Sequence, residues 1–346
     1  MERRGEELEY RWTEALPEDW DDWVRRHPQA AFSHRSGFLE SLAVFPGDGS
    51  LHLLEARTRT GVRRGGFPVY LSRRFGRVWA RSLPFGTYGG PLVDPGVSDR
   101  DGVVRGLVEH VAEWARVRRV VAGEIVLGPL QSADASAGDG PPPALEPLTL
   151  AARMSQAHLV DLAPGPEALR AGLHRESRRA LRVAEGEGVR VEEDASALHA
   201  VYDLYLEQAK GWGVRRPYPR AFLARLLDHR SGFARLYVAR RGREVLTGAL
   251  TLFTDQEAFV WVSGAAPAAR PALAFGYLLW KILETAASLG CRRYNVGSSG
   301  GRHRIESFKS DLGARPERLW ILHLRPHARD PVARLIQWAR AWQRPG

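Results

Sequence analysis

The chain has 346 residues, more than one ordinary core holds, so two domains are expected. With 44% hydrophobic and 26% charged residues it is neither disordered nor fibrous, and its single cysteine, Cys291, excludes an intrachain disulfide, a thiolate zinc cluster and a CxxC redox pair. The net charge of +10 is nearly all arginine, since Lys210, Lys281 and Lys309 are the only lysines; this balance favours RNA, phosphorylated small molecules or an anionic membrane surface, unless it only reflects a genome that writes arginine for lysine.

The first residues, Met1-Glu-Arg-Arg-Gly-Glu-Glu, contain no apolar signal core, and no segment approaches a membrane span, so a cytoplasmic location is expected. Helices are predicted over Glu18 to His27 and Gly37 to Phe45, then strands over Leu51 to Arg57, Gly66 to Leu71 and Arg77 to Ser82. A turn-rich loop, Phe85-Gly-Thr-Tyr-Gly-Gly-Pro-Leu-Val93, precedes a helix from Arg100 to Val117 with Val104, Leu107, Val108, Val111, Ala112 and Ala115 on one face. A strand at Gly123 to Leu127 and a Pro/Gly-rich linker, Gln131 to Pro147, close the first half.

The second half opens with a strand at Ala157 to Leu162 and a strongly basic helix from Pro166 to Gly186. A short strand at Val189 to Glu192 and helices at Ala195 to Gly211 and Tyr218 to His229 follow. Strands at Leu236 to Arg240 and Ala258 to Ser263, the turn Gly264 to Ala272, a helix from Leu273 to Leu289 stopped by Gly290, and a strand at Arg292 to Gly297 lead to a glycine-serine turn, Ser298 to Gly301. The segment Ile305-Glu-Ser-Phe-Lys-Ser-Asp-Leu-Gly313 and an amphipathic helix at Asp330 to Gln343 complete the chain.

The two halves repeat. Leu236 to Arg240 matches Leu53 to Arg57, Phe259 to Ser263 matches Val78 to Ser82, the later long helix matches the earlier one, and Tyr294 to Gly297 matches Ile125 to Gly128. Offsets of roughly 170 to 183 residues are those of two tandem α/β units.

Against this frame Phe308-Lys309 stands where the acetyltransferase fold of the GNAT superfamily carries an aromatic-tyrosine signature. A Phe-Lys pair there, with Tyr88-Gly-Gly-Pro-Leu92, His174-Arg-Glu-Ser-Arg-Arg-Ala-Leu-Arg182 and Tyr294-Asn-Val-Gly297, resembles the FemA/FemB/FemX aminoacyl transferases over about Trp12 to Arg325. The resemblance implies an α/β (α+β) protein of two tandem GNAT domains, 1–150 and 151–325, followed by a C-terminal helix at 326–346. It further implies amide formation between an activated acyl donor, aminoacyl-tRNA or acyl-CoA, and an amine of a cell-envelope or polysaccharide-linked precursor. No tightly bound cofactor is implied.

By the same resemblance Lys309 stabilises the oxyanion, and Phe308, Arg178, Arg182, Tyr88, Tyr218, Arg270, Asn295 and Ser298 are donor- or acceptor-binding candidates. His174, Arg178 and Arg182 fall at i, i+4 and i+8, a stripe suited to phosphate oxygens of a nucleotide-linked acceptor or tRNA. The turn before the long helix lacks the Gly-rich pyrophosphate cradle of acetyl-CoA enzymes and reads Ala-Ala-Pro-Ala-Ala-Arg270-Pro-Ala instead, which favours an aminoacyl-tRNA donor.

Other chemistries are also written in the chain. Gly297-Ser-Ser-Gly-Gly301 fits G-x-S-x-G, with Asp311 and His323 downstream of Ser299, the order of a serine hydrolase. A nucleotide- or RNA-binding module that lost its chemistry is a further alternative. The 11 histidines form no metal-binding spacing, so no metal is expected. Arg329, Arg334, Arg340 and Arg344 opposite the apolar face of the last helix suit either a peripheral membrane contact or docking on its own domain.

Overall fold

A computed structural model describes residues 7–44, 49–74, 76–84, 87–133, 142–211, 217–266 and 271–324. In chain order its elements are β1 (Leu8–Thr13), α1 (Trp20–Arg25), α2 (Ser36–Ser41), β2 (Gly49–Thr58), β3 (Arg63–Arg74), β4 (Arg77–Arg81), β5 (Leu92–Val93), α3 (Arg100–Val117), β6 (Val120–Val126), α4 (Pro129–Ala133) and β7 (Thr149–Asp161). Then come α5 (Gly165–Gly172), α6 (Arg175–Gly186), β8 (Val189–Glu193), α7 (Leu198–Gly211), α8 (Arg220–Leu227), β9 (Ala234–Arg241), β10 (Glu244–Phe253), β11 (Glu257–Ala265), α9 (Pro271–Ser288), β12 (Arg293–Asn295), α10 (His303–Asp311) and β13 (Arg315–Leu324). Arg270 and the expected C-terminal helix lie outside the described residues.

Two compact units result, residues 1–155 with 318–346, and residues 156–317. The last seven residues of β13 therefore belong to the first unit, where Ile321 to Leu324 pair antiparallel with Val126 to Gly123 of β6. A sequence boundary at 150/151 and a second domain running to 325 miss this return, because strand pairing with a distant partner leaves no local signal.

Within the first unit β1 to β4 form an antiparallel run, β4 pairs parallel with β6, and α3 connects them. In the second unit β8 to β11 repeat that run, β11 pairs parallel with β12 through α9, and β12 meets Leu159 to Asp161 of β7 antiparallel. Every pair of matched segments read from the sequence holds an equivalent place in this order.

The long helices form for the reasons their sequences suggest. Asp99 caps α3 by accepting from the Gly102 N–H at 2.9 Å, and Val103, Leu107, Val108, Val111 and Ala115 are buried against the sheet. Helix α9 buries Leu278, Leu279, Trp280, Ile282, Leu283 and Ala286, each large side chain contributing on the order of 1.5–3 kcal/mol. Gly290, at φ +83°, ends it.

The basic helix is not continuous. Leu173 turns extended at the end of α5 and buries its side chain in the core, and His174 starts α6 as its N-cap, with Nδ1 accepting from the Glu176 N–H at 3.4 Å. The expected three-residue stripe thus loses His174, leaving Arg178 and Arg182 on α6. Strand β10 was not expected either: eight of its ten residues are buried on both faces, so it shows no polar alternation.

Candidate active site

The second unit gathers its polar groups where β12 ends. Asn295, the last residue of β12, is fully buried between Phe259 of β11 and Leu159 of β7. Its Oδ1 accepts from the Gly297 N–H at 2.8 Å, and its side chain also bonds that of Glu257. Glu257 is itself buried, and that burial pushes its carboxyl up to about 7, against the bond from Asn295 and the charge of Arg293.

Gly297 adopts φ +73°, a backbone state that costs other residues about 1–2 kcal/mol, and its carbonyl becomes an acceptor for several donors. The His158 N–H donates to it at 3.0 Å and Lys309 Nζ at 2.8 Å, while His158 Nδ1 lies 3.4 Å away. Lys309 is the one buried residue of α10, with 7% of its surface exposed. Burial brings its ammonium down to about 8, opposed by the negative charge of Glu306 one turn earlier. A cation held on a neutral carbonyl, with no carboxylate in contact, keeps a field free for another anion.

The residues around Lys309 are fixed locally. Gly300 and Gly301 adopt positive φ before α10, Ser298 Oγ accepts from the Gly300 N–H at 3.2 Å, and Ser299 Oγ donates to Glu306 Oε1 at 2.8 Å. Phe308 stacks on Phe275 of α9, with ring centres 5.8 Å apart, beside Gly276. Ser299 thus hydrogen-bonds a carboxylate, not an imidazole, and His323 belongs to the first unit, 3.4 Å from Glu124. This is not the arrangement of a serine nucleophile.

Lys309, Phe308, Asn295 and Ser298 therefore share one corner of the second unit. Arg178 and Arg182 lie elsewhere in that unit and line an open cavity of about 360 Å³ with Glu167, Arg170 and Ala171. Arg178 also donates to the carbonyls of Ala171, at 2.8 Å, and Leu173, closing the C-terminus of α5. Tyr218 joins an aromatic cluster with Tyr205 and with Trp261, 4.7 Å away, where Trp261 is the extra residue of a bulge in β11. Burial holds the Tyr218 phenol well above its ordinary value. Tyr88 is a buried residue of the first unit, its carbonyl accepting from Ser33 Oγ.

Sequence reasoning missed His158, Glu257 and Glu306. His158 is 139 residues from Gly297, and its only sequence signal is a polar ring inside an apolar strand. Cys291 behaves as expected of a core thiol, its pKa pushed up to about 11 by burial. Among the described residues no three His, Cys, Asp or Glu side chains gather as a metal site, and no helix is long and apolar enough to cross a membrane.

Residues 168–310 match the model of the acetyltransferase (GNAT) domain family. The crystal structure of FemX superimposes with a TM-score of 0.66 at 13% identity, over 90% of this chain and 96% of that one. The second unit thus carries a match to the GNAT acetyltransferase domain, and the chain has the fold of FemX. Two further solved structures share the fold. A tandem GNAT protein from the clavulanic acid biosynthesis pathway gives a TM-score of 0.56 at 17% identity, over 94% of this chain and all of that one. The C-terminal domain of a putative lysylphosphatidylglycerol synthetase from Agrobacterium fabrum gives 0.58 at 16%, over 94% and 95%. Among curated proteins, none matches the sequence.

Proposed function

We propose that this protein is an acyltransferase that joins an activated acyl group, carried by aminoacyl-tRNA or acyl-CoA, to an amine of a cell-envelope precursor or polysaccharide-linked acceptor, from the cytoplasmic side. The observation that carries the reading is Lys309. It is a buried ammonium on an arginine-rich chain with three lysines, fixed on the Gly297 carbonyl and flanked by the Phe308–Phe275 stack. A developing alkoxide at the acyl carbon would draw that ammonium, an interaction worth far more in a buried site than in water. The lysyl group in the name of the putative lysylphosphatidylglycerol synthetase supports an aminoacyl donor.

Arg182 is the acceptor-side candidate. Among the described residues it has no ion pair or side-chain hydrogen bond, and it opens on the same cavity as Arg170 and Arg178, a setting that suits phosphate oxygens of a nucleotide- or lipid-linked acceptor. Phe308 and Tyr218 would supply apolar walls. Ser298 and Asn295 would hold the loop rather than the substrate, since each spends an oxygen on a backbone N–H.

A labelled-donor screen tests the reading: aminoacyl-tRNAs and acyl-CoAs are each offered with a UDP-sugar peptide bearing a free amine, using wild type and Lys309→Met. Transfer by the wild type that vanishes in the folded methionine variant is expected. An active Lys309→Met enzyme removes Lys309 from the chemistry. RNA binding without response to any donor would point to a nucleotide-binding module instead.

A further inference from the structure

The Lys309 ammonium shares its carbonyl acceptor with a second basic side chain. His158 stands on β7, 2% exposed, and exchanges backbone hydrogen bonds with the chain just past β12: its N–H reaches Gly297 O at 3.0 Å and its carbonyl takes the Val296 N–H at 2.9 Å. This ladder fixes the ring, and Nδ1 faces the Gly297 oxygen at 3.4 Å. A carbonyl oxygen can only accept, so this contact favours the Nδ1–H tautomer, which leaves Nε2 as the bare, basic nitrogen. Among the described residues no hydrogen bond occupies Nε2, and it is not among the fully buried orphan atoms, so that nitrogen keeps contact with solvent.

We propose that His158 is the general base of the transfer, its Nε2 taking the proton of the attacking amine while Lys309 holds the oxyanion. The proposal rests on the amide-forming reading above. The amine nitrogen bonds to the acyl carbon as its N–H proton passes to Nε2. Collapse of the tetrahedral species then breaks the bond from the acyl carbon to the ester oxygen or thioester sulfur of the donor, and the His158 imidazolium returns its proton to that leaving atom. Histidine ends neutral and no further reactant is needed.

The electrostatics agree with this division of labour. Burial and the positive charge of Lys309 lower the imidazole pKa, against the Gly297 carbonyl and Glu306. Lys309 and Glu306, both on α10, are the charged groups acting on the ring, while the end of β12 presents only a carbonyl. The cation that stabilises the oxyanion thus also keeps its neighbour unprotonated and ready to accept.

Histidine-labelled NMR on the full chain without substrate tests the first half, with His158→Asn used to assign the signal. At pH 7 a neutral ring protonated on Nδ1 is expected, with a pKa that rises in Lys309→Met. An Nε2–H tautomer, or an imidazolium at pH 7, overturns the proposal. For the second half, His158→Asn keeps a donor nitrogen near the Gly297 carbonyl and removes the base. With acetyl-CoA or alanyl-tRNA as donor and the UDP-sugar peptide as acceptor, kcat should fall about 10²–10⁴-fold with the melting temperature held, and the acid limb of the kcat/KM profile should disappear. Wild-type kcat in the asparagine variant overturns the base. Loss of activity in His158→Asn alongside full activity in Lys309→Met would instead remove the oxyanion role and leave the base standing.

Discussion

The two units carry the same strands in the same order, yet they treat the end of the parallel strand differently. In the first, Gly128 follows β6 and gives its N–H to Gln131 Oε1 at 3.1 Å, while Gln131 Nε2 reaches the Pro91 carbonyl at 3.3 Å and Ser132 Oγ takes the Trp320 N–H at 3.2 Å. In the second, Gly297 follows β12 and gives its N–H to Asn295, but its carbonyl meets Lys309 and His158. One side-chain amide anchors the turn in both. Among the described residues, titratable side chains meet this turn only in the second unit, so the repeated fold carries two different strand ends.

Their buried cations differ in the same sense. Arg63 of β3 is shared between Asp19, at 2.9 Å, and Glu55, and stacks near Trp20 and Trp23. Paired on both sides, it holds the first unit together. Lys309 has a carbonyl where Arg63 has carboxylates, so no ion pair neutralises its charge among the described residues.

Breaking the paired cation should cost the most. Arg63→Met removes the buried cation between Glu55 and Asp19, leaving the buried Glu55 only its pairing with Arg57 at 2.9 Å, and should destabilise the chain by about 3–5 kcal/mol in chemical denaturation, with no specific loss of transfer per folded molecule. Lys309→Met should lower kcat by about 10²–10³-fold. Its melting temperature at pH 7 should hold or rise: the folded pKa of Lys309 lies below its unfolded value, so the penalty of the buried ammonium is fully present below pH 8 and fades as pH rises toward the unfolded value. Wild-type turnover should decline as pH rises through about 8.

Glu257→Gln sharpens the comparison through pH alone. The folded carboxyl binds its proton up to about pH 7 and the unfolded one only to its ordinary value, so burial lowers stability progressively across that window and no further above it. Glutamine should stabilise the protein at pH 8 by up to about 3 kcal/mol and flatten the dependence of melting temperature between pH 5 and 7. A smaller effect is expected of Gly297→Ala. An added Cβ meets only Phe259 at 3.5 Å, so the cost of about 1–2 kcal/mol is the left-handed backbone, and the swing of the carbonyl should raise the pKa of neither Lys309 nor His158 in isolation but shift both together by NMR.

The repeat, the long helices and the Phe-Lys pair could be read from the sequence, because hydrophobic period, a terminal glycine and a scarce lysine are local signals. Strand β13 could not: its first four residues are exposed, three of them charged, and its pairing with β6 spans almost 200 residues of chain. Nor could the break at Leu173, where burial of one side chain outweighed a pattern that favours helix on both sides. By itself the sequence determined that the chain is two copies of one α/β unit and that Lys309 is its unusual residue. Only the tertiary structure decided what surrounds that lysine, since the His158 ring and the Gly297 carbonyl, whose residue Asn295 anchors, come together through strand register and a left-handed glycine, neither of which leaves a periodic trace.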